Sequence, residues 1–178
     1  TNSDRPRKAI AFGTSGWRGT LGKDLFVRSV ATVTAAILSL YREAEGNPEL
    51  RAALGVASFK EMCARGCVVG FDNRFGGPLL ALAAVNVLVA SGVKVFYAGE
   101  STTGALSASV LVRRAAFSIN LTPSHNPLEY GGFKYNAADA GPAAPVLTDT
   151  ITRLSGDYLE RDEVPCLPAD LDLQRPLD

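Results

Sequence analysis

Among its 178 residues the sequence has a single histidine, His125, and three cysteines, and nowhere do eighteen apolar residues run together. Each shortage excludes something. A membrane-spanning helix needs about 20 consecutive apolar residues, so none is expected, and the opening TNSDRPRK lacks the apolar stretch of a secretory leader. An odd cysteine count argues against a disulfide framework and for a reducing compartment, which places the protein in the cytoplasm. Cys63 and Cys67 stand in a C-x-x-x-C spacing with no histidine nearby, a poor zinc pattern, and are read as core thiols. Net charge is lacking too. Eighteen basic residues cancel eighteen acidic ones, so no overall field recruits nucleic acid or an anionic membrane surface, and any anion site must be local.

What is present suits one domain with a short extra segment: the composition is 47% hydrophobic and 20% charged. Val27, Val30, Ala31, Thr34, Ile37, Leu38 and Tyr41 recur at steps of three and four, which predicts an amphipathic helix over 26–43. GNPELRAALG, with Gly46 and Pro48, reads as a surface connection, and FKEMCARG ends on Gly66, a plausible helix C-cap. CVVGFD is a short apolar run typical of a strand covered on both faces, and a buried helix follows between Pro78 and Gly92. VKVFYAG is the next strand, TTGALSASVLVRR a helix capped by Thr102 or Thr103, and AAFSIN another strand. The alternation predicts an α/β fold, a three-layer α/β/α sandwich with a largely parallel (mixed) sheet. A last helix over 147–163 carries Ile151, Leu154, Tyr158 and Leu159 at helical spacing. From 164 onward three prolines and no periodicity mark a linker, so the domain is taken as 1–163 and the linker as 164–178.

Three stretches carry chemistry. In INLTPSHNPLEYGGFKYN, Pro123 and Pro127 restrict the residues before them to extended geometry, which holds Ser124 on a stiff loop. If AAFSIN and GFKYN are neighbouring strands, Ser124 and Lys134 come to the same end of the sheet, where α/β proteins bind ligands. Spacing alone fits equally an ordinary tight loop with a solvated serine and a snorkelling lysine. A Ser-His-acid hydrolase is excluded: the G-x-S-x-G elbow is missing, and His125 adjoins Ser124, where a base is rarely aimed at the preceding side chain. His125 is left to brace the loop or to contact substrate. AFGTSGWRGTLG surrounds Arg18 with glycines and with the hydroxyls of Thr14 and Ser15, a turn able to cradle a phosphate and equally able to be only a turn. GFDNRFGG puts Asp72 at a strand end with Arg74 just after it; an internal ion pair ordering the loop is the first reading, and direct ligand contact the second.

Taken together, these segments resemble the α-D-phosphohexomutase family of phosphoglucomutases and phosphomannomutases. TPSHNPLEYGGFK is similar to its phosphoserine loop, FGTSGWRG to its N-terminal signature and GFDNRF to a third segment, in the family's order. The resemblance implies a first domain in which Ser124 carries the phosphoryl group, Lys134 and Arg18 act on it, and Thr14, Ser15, His125, Asn126, Asp72 and Arg74 bind phosphate or substrate or brace the loop. It implies a hexose phosphate substrate, a hexose 1,6-bisphosphate intermediate, and Mg2+ bound through the phosphate of Ser124. It also implies that the remaining domains of the same polypeptide supply the metal carboxylates and select the sugar, so the isolated chain is expected to be inactive. DLDLQR offers only Asp170 and Asp172 and is not taken as the metal loop. Two positions depart from the family's pattern: Pro123 replaces the usual alanine, and Gly131 stands where asparagine is common. From a different class, a non-catalytic sugar-phosphate or anion-binding module that keeps the fold is the alternative.

Overall fold

The structure, a computed structural model, describes residues 5–13 and 16–162. Thr14, Ser15, the 164–178 linker, Asp170 and Asp172 lie outside the described residues. In chain order the elements are β1 (Trp17–Thr20), α1 (Val27–Glu43), α2 (Pro48–Leu54), α3 (Phe59–Arg65), β2 (Cys67–Phe71), α4 (Gly77–Ala90), β3 (Val95–Glu100), α5 (Thr103–Arg113), β4 (Phe117–Leu121), β5 (Tyr130–Asn136) and α6 (Pro145–Arg161). Among the described residues no helix is long and apolar enough to cross a membrane.

The five strands form one mixed sheet in the order β1-β5-β4-β2-β3. β2 pairs in parallel with β3 and β4, and β5 runs antiparallel to both β4 and β1, so β5 alone points against the rest. From β2 the chain steps outward through α4 to β3, then returns past β2 through α5 to β4. With a constant crossover hand, a reversal of direction places the two helices on opposite faces. α4 accordingly packs with α1 and α6 on one face, and α5 lies on the other against β2 and β4. The three layers expected from the alternation are present.

Side chains alternate across the sheet as the pleat requires. Cys67, Val69, Phe117 and Ile119 face the main core under α1, α4 and α6, while Val68 joins Leu106, Val110 and Ala115 beneath α5. Gly70 shares that second face, where a Cβ would come within 2.8 Å of Leu106 Cδ2; its lack of a side chain lets α5 approach. On the first face Tyr41 stacks near Phe117 at 5.3 Å between centroids, and its hydroxyl pairs with that of Tyr135 at 3.0 Å.

Three local readings need correction. α1 is buried around most of its circumference, not along one stripe, because α4 and α6 flank it. Arg28, Arg42 and Glu43 mark its outward side, and within the buried stretch the hydroxyls of Thr32 and Thr34 donate to the carbonyls of Arg28 and Val30, leaving neither hydroxyl bare. GNPELRAALG is not a surface connection. Asn47 Oδ1 caps α2 by accepting from the N–H groups of Glu49 and Leu50, Pro48 occupies the first turn, and Leu50 and Leu54 are buried. The glycine-rich N-terminal segment becomes strand β1 at Trp17–Thr20, paired with β5 so that Arg18 stands opposite Gly132.

Candidate active site at the carboxyl ends of β2 and β4

Chain direction diverges after β2 and β4: β2 leads into α4 on one side of the sheet and β4 into the loop that returns as β5. Such a divergence opens a crevice at the strand ends. Asp72 follows β2 there, and Thr122, Pro123 and Ser124 follow β4. A groove of about 740 Å³ runs between them, lined by Asp72, Arg74, Thr122 and Ser124 and by Thr102 and Thr103 at the start of α5.

Ser124 is exposed and holds a left-handed backbone, φ +70°, rare for a residue with a side chain. Its hydroxyl accepts a hydrogen bond from Lys134 Nζ at 2.6 Å. Lys134 pairs across the sheet with Asn120, and Arg18 with Gly132, so both cations project from the face that α5 leaves uncovered at β5 and β1. Gly16, φ +91°, makes room for the lysine stem: a Cβ there would lie 3.1 Å from Lys134 Cγ. Arg18 Nε donates to the carbonyl of Pro123 at 3.0 Å, immediately before Ser124. Among the described residues neither cation forms an ion pair. The Lys134 ammonium is held below the ordinary lysine range, first by burial and then by repulsion from Arg18, against a smaller pull upward from Asp72.

Arg74 braces the loop. Its guanidinium pairs with Asp72 Oδ2 at 3.1 Å and donates to the backbone carbonyls of Asn126 at 2.6 Å, Pro127 at 2.5 Å, Tyr130 at 3.2 Å and Ser124 at 3.4 Å. A planar fork with five donors satisfies this ring of acceptors, which a lysine could not span. Asp72 in turn accepts from Thr122 Oγ1 at 2.6 Å, and Thr122 Oγ1 accepts from the Ser124 N–H at 3.0 Å. Asn126 is half-buried and contributes its carbonyl to this clamp; His125 is exposed, and its imidazole makes no hydrogen bond to the described residues. The bracing expected of His125 comes from Arg74.

Thr122 and Gly132 went unnoticed in the sequence. For Thr122 a signal was available: a threonine two residues before another loop residue is the pattern of a side-chain turn onto the backbone. Gly132 lies under the loop, and a Cβ there would fall 2.4 Å from the Thr122 carbonyl oxygen and 2.7 Å from Pro123 N and Cα. Backbone cannot yield as a side-chain tip does. Gly132→Ala is expected to displace the Thr122 to Ser124 segment and destabilise the fold by about 1–3 kcal/mol, read as a melting temperature lower by several degrees and faster amide exchange over 121–126; an unchanged melt and exchange pattern would show the loop to be loosely seated.

The sequence model of the family described as phosphoglucomutase/phosphomannomutase, alpha/beta/alpha domain I, matches residues 9–161. A phosphoglucomutase of Komagataeibacter xylinus is 28% identical over 162 residues, covering 85% of this chain and 26% of that protein. A phosphoglucosamine mutase of Frankia alni is 32% identical over 143 residues, covering 80% of this chain and 29% of its own length. Among solved structures, a Thermus thermophilus protein assigned as a phosphomannomutase superposes with a TM-score of 0.67 at 29% identity, over 83% of this chain and 30% of that one. The chain thus spans under a third of each of these relatives. Matched over residues 9–161, and with the mixed sheet between helical layers that the neighbouring structure shares, the chain belongs to the phosphoglucomutase/phosphomannomutase family, of which it carries domain I.

Proposed function

We propose that Ser124 is the phosphoryl carrier of a phosphohexomutase that interconverts hexose 1-phosphate and hexose 6-phosphate. The observation that carries this reading is the pair of cations, Lys134 and Arg18, gathered at an exposed serine hydroxyl with no carboxylate among the described residues paired to either. A phosphoserine brings roughly −1.5 to −2 charges, which is the complement this arrangement lacks.

In this reading the phosphoryl group leaves Ser124 Oγ for the free hydroxyl of a hexose monophosphate, whose proton departs as the new P–O bond forms. The resulting hexose 1,6-bisphosphate turns in the site and returns its other phosphoryl group to Ser124 Oγ. Lys134 is suited to both halves. Its lowered affinity for the proton fits it to exchange one with the sugar hydroxyl, and its charge stabilises the phosphoryl oxygens in the transition state. Arg18 spends Nε on the Pro123 carbonyl, and its terminal nitrogens remain for phosphate oxygens. Thr14 and Ser15, which lie outside the described residues, would add donors beside Arg18, and His125 and Asn126 would meet the substrate.

Magnesium fits this chain only in part. Ser124 would offer phosphate oxygens, but among the described residues no group of three His, Cys, Asp or Glu side chains gathers to complete a cation site. The remaining ligands, like the sugar-selecting groups, are proposed to come from further domains of a longer polypeptide, and the 178-residue chain alone is expected not to turn over. The free thiols of Cys63 and Cys67 support a reducing location, the cytoplasm. The reading is tested by the intact mass of the protein purified from native expression. A fraction heavier by one phosphoryl group, converted to the lighter form by a hexose monophosphate in the complete mutase, is expected; a uniformly unmodified protein that hexose 1,6-bisphosphate does not change points instead to a non-catalytic anion-binding module.

A further inference from the structure

Ser124 keeps a left-handed backbone although it is neither glycine nor asparagine, and it is flanked by a proline that cannot donate a hydrogen bond. Something must hold it there. The Ser124 N–H is taken by Thr122 Oγ1 at 3.0 Å, and that oxygen stands 2.6 Å from Asp72 Oδ2. Asp72 is ion-paired with Arg74, so it has acceptor oxygens only and the hydrogen between them belongs to the threonine. With its hydrogen committed to Asp72, Thr122 Oγ1 can present only lone pairs to Ser124. The direction of the whole chain of bonds is therefore set by the Arg74 charge, through Asp72 and Thr122, to the serine backbone. Thr122 is itself buried and confined to extended geometry by Pro123.

We propose that Thr122 is a positioning residue for the Ser124 nucleophile: its hydroxyl, oriented by Asp72 and Arg74, locks the serine in the left-handed conformation that points Oγ at Lys134. Both hydrogen bonds of its hydroxyl go to protein atoms, so it acts through the backbone of Ser124. The proposal rests on Ser124 being the phosphoryl carrier only for its catalytic consequence; the bridge itself is independent of that reading.

The test uses Thr122→Val, which keeps the shape and removes the hydroxyl, with Thr122→Ser as the rescue. In the isotope-labelled 178-residue chain, T122V is expected to speed exchange of the Ser124 amide by at least about tenfold and to move the Ser124 backbone shifts out of the left-handed range, while T122S keeps both near wild type. Unchanged exchange and shifts in T122V overturn the bridge. In the complete mutase, T122V is expected to lower kcat by at least about tenfold with KM unchanged, as misplacement of a reacting group does, and T122S to restore it. A wild-type kcat in T122V, or a loss that T122S does not recover, overturns the positioning role. Thr122→Ala supplies the same readouts should the extra methyl of valine disturb folding. Ser124→Ala is measured beside them: if it retains turnover, the phosphoserine reading and the kinetic consequence fall together, while the exchange data still decide the bridge.

Discussion

Ser124→Ala in the complete mutase is expected to abolish turnover, by more than about 10⁴-fold, while the domain melts where the wild type does. The Ser124 hydroxyl is the nucleophile that carries the phosphoryl group in this account. Its removal therefore leaves no covalent route through the loop. Folding should scarcely notice, because Ser124 is exposed and the side-chain contact it loses is one hydrogen bond from a half-buried lysine. Surface changes of this kind stay within about 0.5 kcal/mol. The bonds that order the loop run from Arg74 and Thr122 to main-chain atoms and survive in alanine. Turnover and a melting curve on the same preparation check the result, and near-normal turnover with an unchanged melt would remove Ser124 from its assigned role.

Lys134→Ala is expected to cut turnover about a hundredfold, near 3 kcal/mol in activation free energy, the usual loss for one preorganised donor at a developing charge. Lys134 Nζ stands 2.6 Å from the hydroxyl that would bear the phosphate, on a stem seated against Gly16 and in a strand whose register sets it opposite Asn120. It needs no rearrangement to act. Burial and Arg18 both disfavour its charged form in the free protein, and a phosphate on Ser124 would reverse that balance, so the ammonium is worth most when the phosphoryl group is present. A lysine that only snorkelled would change turnover by less than about a factor of three, as for ordinary surface substitutions. Turnover at saturating substrate and magnesium, beside a melting curve, separates the two; a loss of tenfold or less, or one matched by unfolding, would make the lysine structural.

Much of the fold was legible because its signals are local. The runs CVVGFD, VKVFYAG and AAFSIN, separated by apolar helical segments, announced β2, β3 and β4 with α4 and α5 between them. β1 was not legible: WRGT is four residues long, carries a glycine and shows no apolar alternation, and it becomes a strand only because β5 offers an edge to pair with. α2 was hidden by Gly46 and Pro48, which read as breakers when Asn47 and Pro48 in fact start the helix. α1 gave its period but not its depth, since burial around most of the helix depends on two helices far away in sequence. At the site, the stiffness around Ser124 and the meeting with Lys134 followed from prolines and strand adjacency. The clamp did not. Arg74 reaches carbonyls some fifty residues on, and nothing in GFDNRFGG says which backbone its fork will meet. Thr122 was within reach of sequence reasoning, but its partner Asp72 follows the adjacent strand β2, 50 residues earlier in the chain, and could only be seen in the assembled sheet.

Rapid-quench labelling of the complete mutase with radiolabelled hexose 1,6-bisphosphate tests whether the phosphoryl group passes through Ser124. Label is expected on the peptide containing Ser124, absent from Ser124→Ala, and chased onto added hexose monophosphate at no less than the rate of turnover. Turnover without label on that peptide, or label that stays on Ser124 when monophosphate is added, would exclude Ser124 as the carrier.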